Sequence, residues 1–141
     1  MSDPLTLLSI VGLLESLDEE DKKRGQKHVV FYKKTTTGGS FRPSKRGVKF
    51  PFYGRGRLNR MIIRADGDYT IHLSHDNSTI IRTFSQLLEE REEWTNISAY
   101  YKDGQRVVVI SDIDFYKFID VVIYPKSKST FNITTDILIE G

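Results

Sequence analysis

A chain of 141 residues is about one domain long and buries roughly 70% of its unfolded surface, enough for a core without covalent staples. It has no cysteine and three histidines, which excludes disulfides, thiol catalysis and every zinc site that needs sulfur ligands. The net charge of +2 conceals three blocks: six acids and no base in residues 1–21, fourteen bases and no acid in 22–64, and thirteen acids against seven bases in 65–141.

The first predicted element is an amphipathic helix. Asp3 is placed to cap it and Pro4 suits its first turn, where a missing N–H costs nothing. Leu7, Ile10, Val11, Leu14 and Leu17 recur at helical spacing, and Leu5, Leu8 and Leu13 widen the stripe. Its apolar run ends at Leu14, far short of the roughly 20 residues a membrane-spanning helix needs, and its acidic flank is the opposite of a signal peptide's basic one. The expectation is therefore synthesis in the cytoplasm with no transmembrane segment. Asp18 to Lys27 is dense in charge and reads as a linker, so residues 1–27 stand apart from a domain spanning 28–141. Two readings of the helix are open: packing on its own domain, or docking on a neighbouring subunit through the five stripe residues.

From His28 the periodicity changes to that of strands. Segments 28–34, 47–53, 58–65, 69–74, 78–83, 96–101, 106–111, 117–124 and 131–139 are rich in β-branched and aromatic residues and are separated by turn formers. Residues 35–40 (TTTGGS) read as a loop. Gly67-Asp68, Asp76-Asn77 and Asp103-Gly104 mark tight connections, the last a strong hairpin signal. One helix interrupts the series: Thr83 and Gln86 have capping-box spacing ahead of Leu87 and Leu88, and Glu89 to Trp94 would carry it on. The predicted fold is mainly β, an antiparallel β-sandwich of jelly-roll type with an N-terminal amphipathic helix and one short internal helix.

Catalytic signatures are scarce. His72, His75 and Asp76 have a spacing that converges on a metal only on a helical turn, and in a strand three residues along the pleat send the histidines to opposite faces. Glu89, Glu90, Glu92 and Glu93 read as a solvated helix face, and Asp112, Asp114 and Asp120 alternate with apolar residues. No phosphate-loop, serine-hydrolase or zinc-protease pattern is present. The chain is expected to be no enzyme and to need no cofactor or metal.

The basic block carries more information. Arg42, Lys45, Arg46, Lys49, Arg55, Arg57, Arg60 and Arg64 form a belt interleaved with Phe41, Phe50, Phe52 and Tyr53. Cations beside rings are the ingredients of a single-strand nucleic-acid surface, here the stretch 41–60. Segregated opposite charges equally suit self-association or attachment to other particle subunits, since a heterologous contact pairs them. A carbohydrate-binding sandwich, with Trp94, Tyr100 and Tyr101 as stacking platform, is a third reading. Three of the four asparagines, Asn77, Asn96 and Asn132, stand in N-x-[ST] sequons, sites of glycosylation if the protein is displayed.

The stretch 57–101, with Arg57-Leu58 leading into 61–66 (MIIRAD), Tyr69 to Leu73, Phe84 to Leu88 and Ser98-Ala99-Tyr100, then 106–118 (RVVVISDIDFYKF) and the strand from Phe131, resembles small β-sandwich structural proteins of tailed phages and archaeal viruses. The resemblance covers more than half of the chain, lies in the order and texture of elements, and carries over no functional residue. It implies a virion component of capsid, collar or tail, assembled through subunit contacts and without a cofactor.

Overall fold

Alternating apolar and polar residues give each segment one inward face, and in the computed structural model, which describes residues 30–140, these segments become strands. They are β1 (Val30–Phe41), β2 (Val48–Tyr53), β3 (Arg55–Ala65), β4 (Tyr69–His75), β5 (Ser78–Thr83), β6 (Ile97–Lys102), β7 (Gln105–Phe115), β8 (Phe118–Pro125) and β9 (Ser129–Glu140), with a short helix α1 (Phe84–Glu89) between β5 and β6. Among the described residues they form two antiparallel sheets, one ordered β1-β9-β3-β7-β6 and the other β2-β8-β4-β5. The predicted helix over residues 5–17, with Leu7, Ile10, Val11, Leu14 and Leu17, and the linker after it lie outside the described residues.

Both sheets contribute to a single hydrophobic cluster, so the arrangement is sandwich-like: Leu58, Met61 and Ile63 come from one sheet, Ile71, Leu73, Ile119 and Ile123 from the other. A chain of aromatic contacts crosses this core. Phe41 meets Phe131 at 5.7 Å between centroids, Phe131 meets Tyr69 at 5.4 Å, Tyr69 meets Phe84 at 5.9 Å and Phe84 meets Tyr101 at 5.2 Å. Such tilted and edge-on pairs add to the burial of the rings themselves. Tyr69 is fully buried and gives its hydroxyl proton to Arg106 O at 3.0 Å, with Ile63 O at 3.4 Å. Burial raises its pKa above the ordinary tyrosine value, Asp68 adding to the rise and Arg106 opposing it.

The strand connections gather at two ends. At the first end, Thr130 donates its N–H to Asp66 Oδ1 at 2.9 Å, Lys126 donates to Asp68 O at 2.9 Å, and Arg106 Nη1 donates to Asp66 O at 3.1 Å. Arg106 Nε also lies 2.9 Å from Asp68 Oδ1, an ion pair whose N–H is not aimed along the contact. At the second end, Asp76 caps the β7–β8 turn: its carboxylate accepts the N–H groups of Tyr116, Lys117 and Phe118 at 3.0, 2.8 and 3.4 Å.

Two expectations are corrected. Residues 35–40 are not a loop but the continuation of β1, because β9 supplies a neighbouring strand and the threonines are β-branched; pairing outweighs the two glycines. The internal helix has the predicted capping box, Gln86 N to Thr83 Oγ1 at 3.1 Å and Thr83 N to Gln86 Oε1 at 2.9 Å, yet it stops at Glu89 and does not run on to Trp94. Its last turn has no base to offset the run of glutamates, and the Glu90 carboxylate instead accepts from Arg82 Nε at 3.0 Å and Trp94 Nε1 at 3.1 Å. The Asp103-Gly104 hairpin forms with both residues at positive φ, 52° and 75°, as a tight turn between right-twisted strands requires.

Candidate functional site

The basic belt is divided by the topology. β2 is an edge strand of one sheet and β3 a central strand of the other, so Lys49 faces outward from the first while Arg60 and Arg64 project from the outer face of the second. Arg57 is committed: Nη2 lies 3.1 Å from Asp112 Oδ1 and Nη1 3.6 Å from Asp114 Oδ1, Asp114 directly across the β3–β7 ladder and Asp112 two residues from it along β7. Arg55 stands over the Tyr116 ring at 5.4 Å. Arg42, Lys45 and Arg46 lie exposed in the β1–β2 loop at the first end, where Gly47 packs against Val122, Ile123 and Tyr124 of β8. The β8–β9 loop brings Lys126 and Lys128 to the same end. These two lysines belong to the acidic part of the sequence, and only the hairpin return of β8 into β9 puts them beside the belt. The acids nearest to them are engaged, Asp66 with Thr130 and Asp68 with Arg106.

The aromatic interleaving expected of a nucleic-acid surface is not on that surface. Phe41, Phe50 and Phe52 are half-buried and pack against the core, leaving Tyr53 exposed at the opposite end of β2. The three residues of the carbohydrate platform are also separated. Tyr101 packs edge-on against Phe84 while remaining 57% exposed, Tyr100 points to the other face of β6, and Trp94 precedes the strand. Asn77 and Asn132 are exposed; Asn96 is half-buried, and its Nδ2, the atom a glycan would occupy, donates to Ser111 O at 3.0 Å and Asp112 O at 3.1 Å.

Those two bonds lie at an irregularity that runs through the sheet. Leu58 and Met61 are both buried three residues apart, as are Ile110 and Ile113, which a regular pleat cannot achieve. β3 and β7 each shift phase together, the pairing resumes as Leu58↔Ile113 and Met61↔Ile110, and Asp112 takes a left-handed φ of 57°. Neither strand carries an extra residue, and the change of phase on both re-aims the side chains between these pairs. Here the re-aimed residues border a cleft of about 270 Å³ between the sheets at the second end. Leu73, Ile80, Ile97 and Ile113 form its apolar part, and Trp94, His75, Asn96, Ser78, Asp112 and Asp114 its polar rim. Trp94 is held by Glu90 and has the Arg82 guanidinium over its ring at 5.6 Å. The bonds from Trp94 and then Arg82 hold the Glu90 carboxyl below its ordinary value. His72 is absent from this cleft: it lies on the opposite face of β4, against Tyr124 at 4.6 Å. Asp76 is taken up by the turn it caps. Desolvation would raise its pKa, but the N–H groups of Lys117, Tyr116 and Phe118 outweigh it and, with His75, hold the carboxyl below the ordinary value.

The signal for the cleft was present in the sequence as the break in alternation at 110–113 (ISDI), where two apolar residues flank a serine and an aspartate. Among the described residues no helix is long and apolar enough to cross a membrane. No known protein family, curated protein or solved structure matches the chain.

Proposed function

We propose that this chain is a non-enzymatic assembly protein with a jelly-roll sandwich, a component of a virus particle that works through contacts between subunits. The observation that carries the reading is the strand order. Leaving aside the added edge strand β6, the sheets run β1-β9-β3-β7 and β2-β8-β4-β5. That is the order in which a long antiparallel ribbon rolls into two interlocked Greek keys, an architecture shared by viral capsid domains, lectins and cupins. The segregated charge of the sequence favours the assembly role within that group, because an acidic segment of one copy and a cationic end of another attract while like ends repel. In this reading the stripe Leu7, Ile10, Val11, Leu14 and Leu17 docks on a neighbouring subunit. Incorporation into the particle would follow synthesis in the cytoplasm.

Light scattering coupled to size exclusion across a salt series tests it. The full chain should form higher-order species at low salt that dissociate as salt screens the charge contacts, and removal of residues 1–20 should shift the equilibrium to smaller species. A monomer at every salt concentration, with and without residues 1–20, refutes the proposal.

A second reading, sequence-independent binding of nucleic acid, is favoured by one observation. Arg42, Lys45, Arg46, Lys126 and Lys128 share one end, and among the described residues none of them has an ion-pair partner. With the phenylalanines half-buried against the core, the contacts would be to phosphates and not to bases. An oligonucleotide should then bind with an affinity that falls linearly in log salt. Reversal of Lys126 and Lys128 to glutamate should weaken that binding; unchanged binding removes this reading.

A further inference from the structure

The cleft at the second end is built like a binding site and is used by neither reading. We propose that it binds one neutral pyranose unit of a glycan, with Trp94 and the aliphatic side chains taking the C–H face of the ring and Asp112 and Asp114 accepting its hydroxyls.

Size sets the first limit. A cleft of about 270 Å³ is just below the roughly 300–1,000 Å³ of sites for drug-sized ligands, so it suits a single ring. Chemistry sets the second. The apolar part and the acceptor-rich rim call for a ligand that is apolar on one side and rich in O–H donors on the other. The two carboxylates disfavour an anion, and Arg57, which bridges them from outside the cleft, offsets the charge that would otherwise draw a cation. Among the described residues no three His, Asp or Glu side chains converge to hold a metal ion. His75 Nδ1 is buried and has no hydrogen-bond partner, which leaves it available to a hydroxyl.

The third argument is rigidity, since affinity for a small ligand depends on groups that are already in place. Asp112 is aimed by the matched irregularity of β3 and β7 and by its left-handed backbone. The bonds from Asn96 to Ser111 O and Asp112 O fix that backbone, and Arg57 fixes the carboxylate. Trp94 is anchored at its nitrogen by Glu90, has Arg82 over its ring, packs against the core and lines the cleft. A left-handed non-glycine residue inside a strand costs stability, and here it orients an acceptor at the mouth of a cleft.

Trp94 is the chain's single tryptophan, so its fluorescence reads the site directly. The full chain is titrated with the methyl glycosides of glucose, galactose, mannose, fucose and N-acetylglucosamine, with saturation-transfer NMR as an independent readout. At least one should give a saturable change in emission. Asp114→Asn and Asp112→Asn should each weaken it by about tenfold or more, as expected when a charged acceptor is lost, and Arg60→Ala, on the outer face of the sheet, should leave it unchanged. Asparagine tolerates the left-handed backbone at 112; should that variant fail to fold, the exposed Asp114→Asn still decides. No response to any glycoside by either readout overturns the proposal. So does equal binding by the Asp114→Asn variant, or a response to calcium or inorganic phosphate alone. The oligomeric state plays no part in these readouts, so failure here and failure of the assembly reading are separable.

Discussion

Replacing Tyr69 by phenylalanine isolates one hydroxyl at the centre of the aromatic chain. The ring would keep its contacts with Phe131 and Phe84, and the fully buried site admits no water to take the place of the lost O–H. What disappears is the bond to Arg106 O at 3.0 Å and the weaker approach to Ile63 O at 3.4 Å. A net loss of about 1–2 kcal/mol follows, one hydrogen bond plus part of the cost of an unsatisfied carbonyl. For a folded region of this size that lowers Tm by about 4–8 °C. Tyr69→Ala removes the ring as well and should cost about 3–5 kcal/mol. Urea titrations followed by Trp94 fluorescence and far-ultraviolet dichroism measure both. The same substitution has a pH signature. Because the folded pKa is raised, the neutral phenol contributes stability that is fully present below the ordinary value of 10.0 and is lost as pH rises towards the folded value. Tyr69→Phe should therefore flatten the alkaline loss of stability, leaving the part due to Tyr32. Burial first, and then the bond to Asp136 and its charge, push that group up to about 12. A Phe variant as stable as the parent at neutral pH, or as unstable as the Ala variant, would refute the assignment of the hydroxyl's role.

Asp76→Asn should lose the acid limb of the stability curve. The lowered carboxyl pKa contributes stability above the ordinary 3.8 that is lost as pH falls through the folded value, so acid titrations of parent and variant should converge at low pH and diverge above it. Gly47→Ala should destabilise by about 2–4 kcal/mol, because φ is +67° and the new Cβ would stand 2.7 Å from Val122 Cγ1 and 2.9 Å from Ile123 O; thermal melting measures it. Arg57→Ala should change stability by less than about 1 kcal/mol, since its partners are well exposed and screened, while lowering affinity for a glycoside in the Trp94 assay. A large loss of stability would show that the bridge supports the β3–β7 irregularity itself.

Much of the architecture was legible in the chain because local chemistry and long-range packing agree there. Period-two alternation marks the strands around Ile71, Leu73, Ile119 and Val121, and the turn chemistry of Asp103-Gly104 and the capping box of Thr83 and Gln86 are satisfied by neighbours a few residues away. The misreadings fall where a distant partner decides. Residues 35–40 are strand because β9 lies beside them, and the helix ends at Glu89 because Arg82 and Trp94 claim Glu90. The belt is a clearer case still: a charge block contiguous in sequence runs along an edge strand of one sheet and then a central strand of the other, so its members part company.

Composition and patterning thus determined that the chain is mainly β, stapled by no cysteine and divided into blocks of opposite charge, since these depend on residue identities and nearest neighbours. Tertiary structure alone decided which charges are free and which are spent. It brought Lys126 and Lys128 to Arg42 and Arg46, tied Arg57 to Asp112 and Asp114, and set Trp94 at the edge of a cleft with them. Each of those contacts joins residues far apart in the chain, and their distance in space follows from strand order and register, which no local pattern encodes.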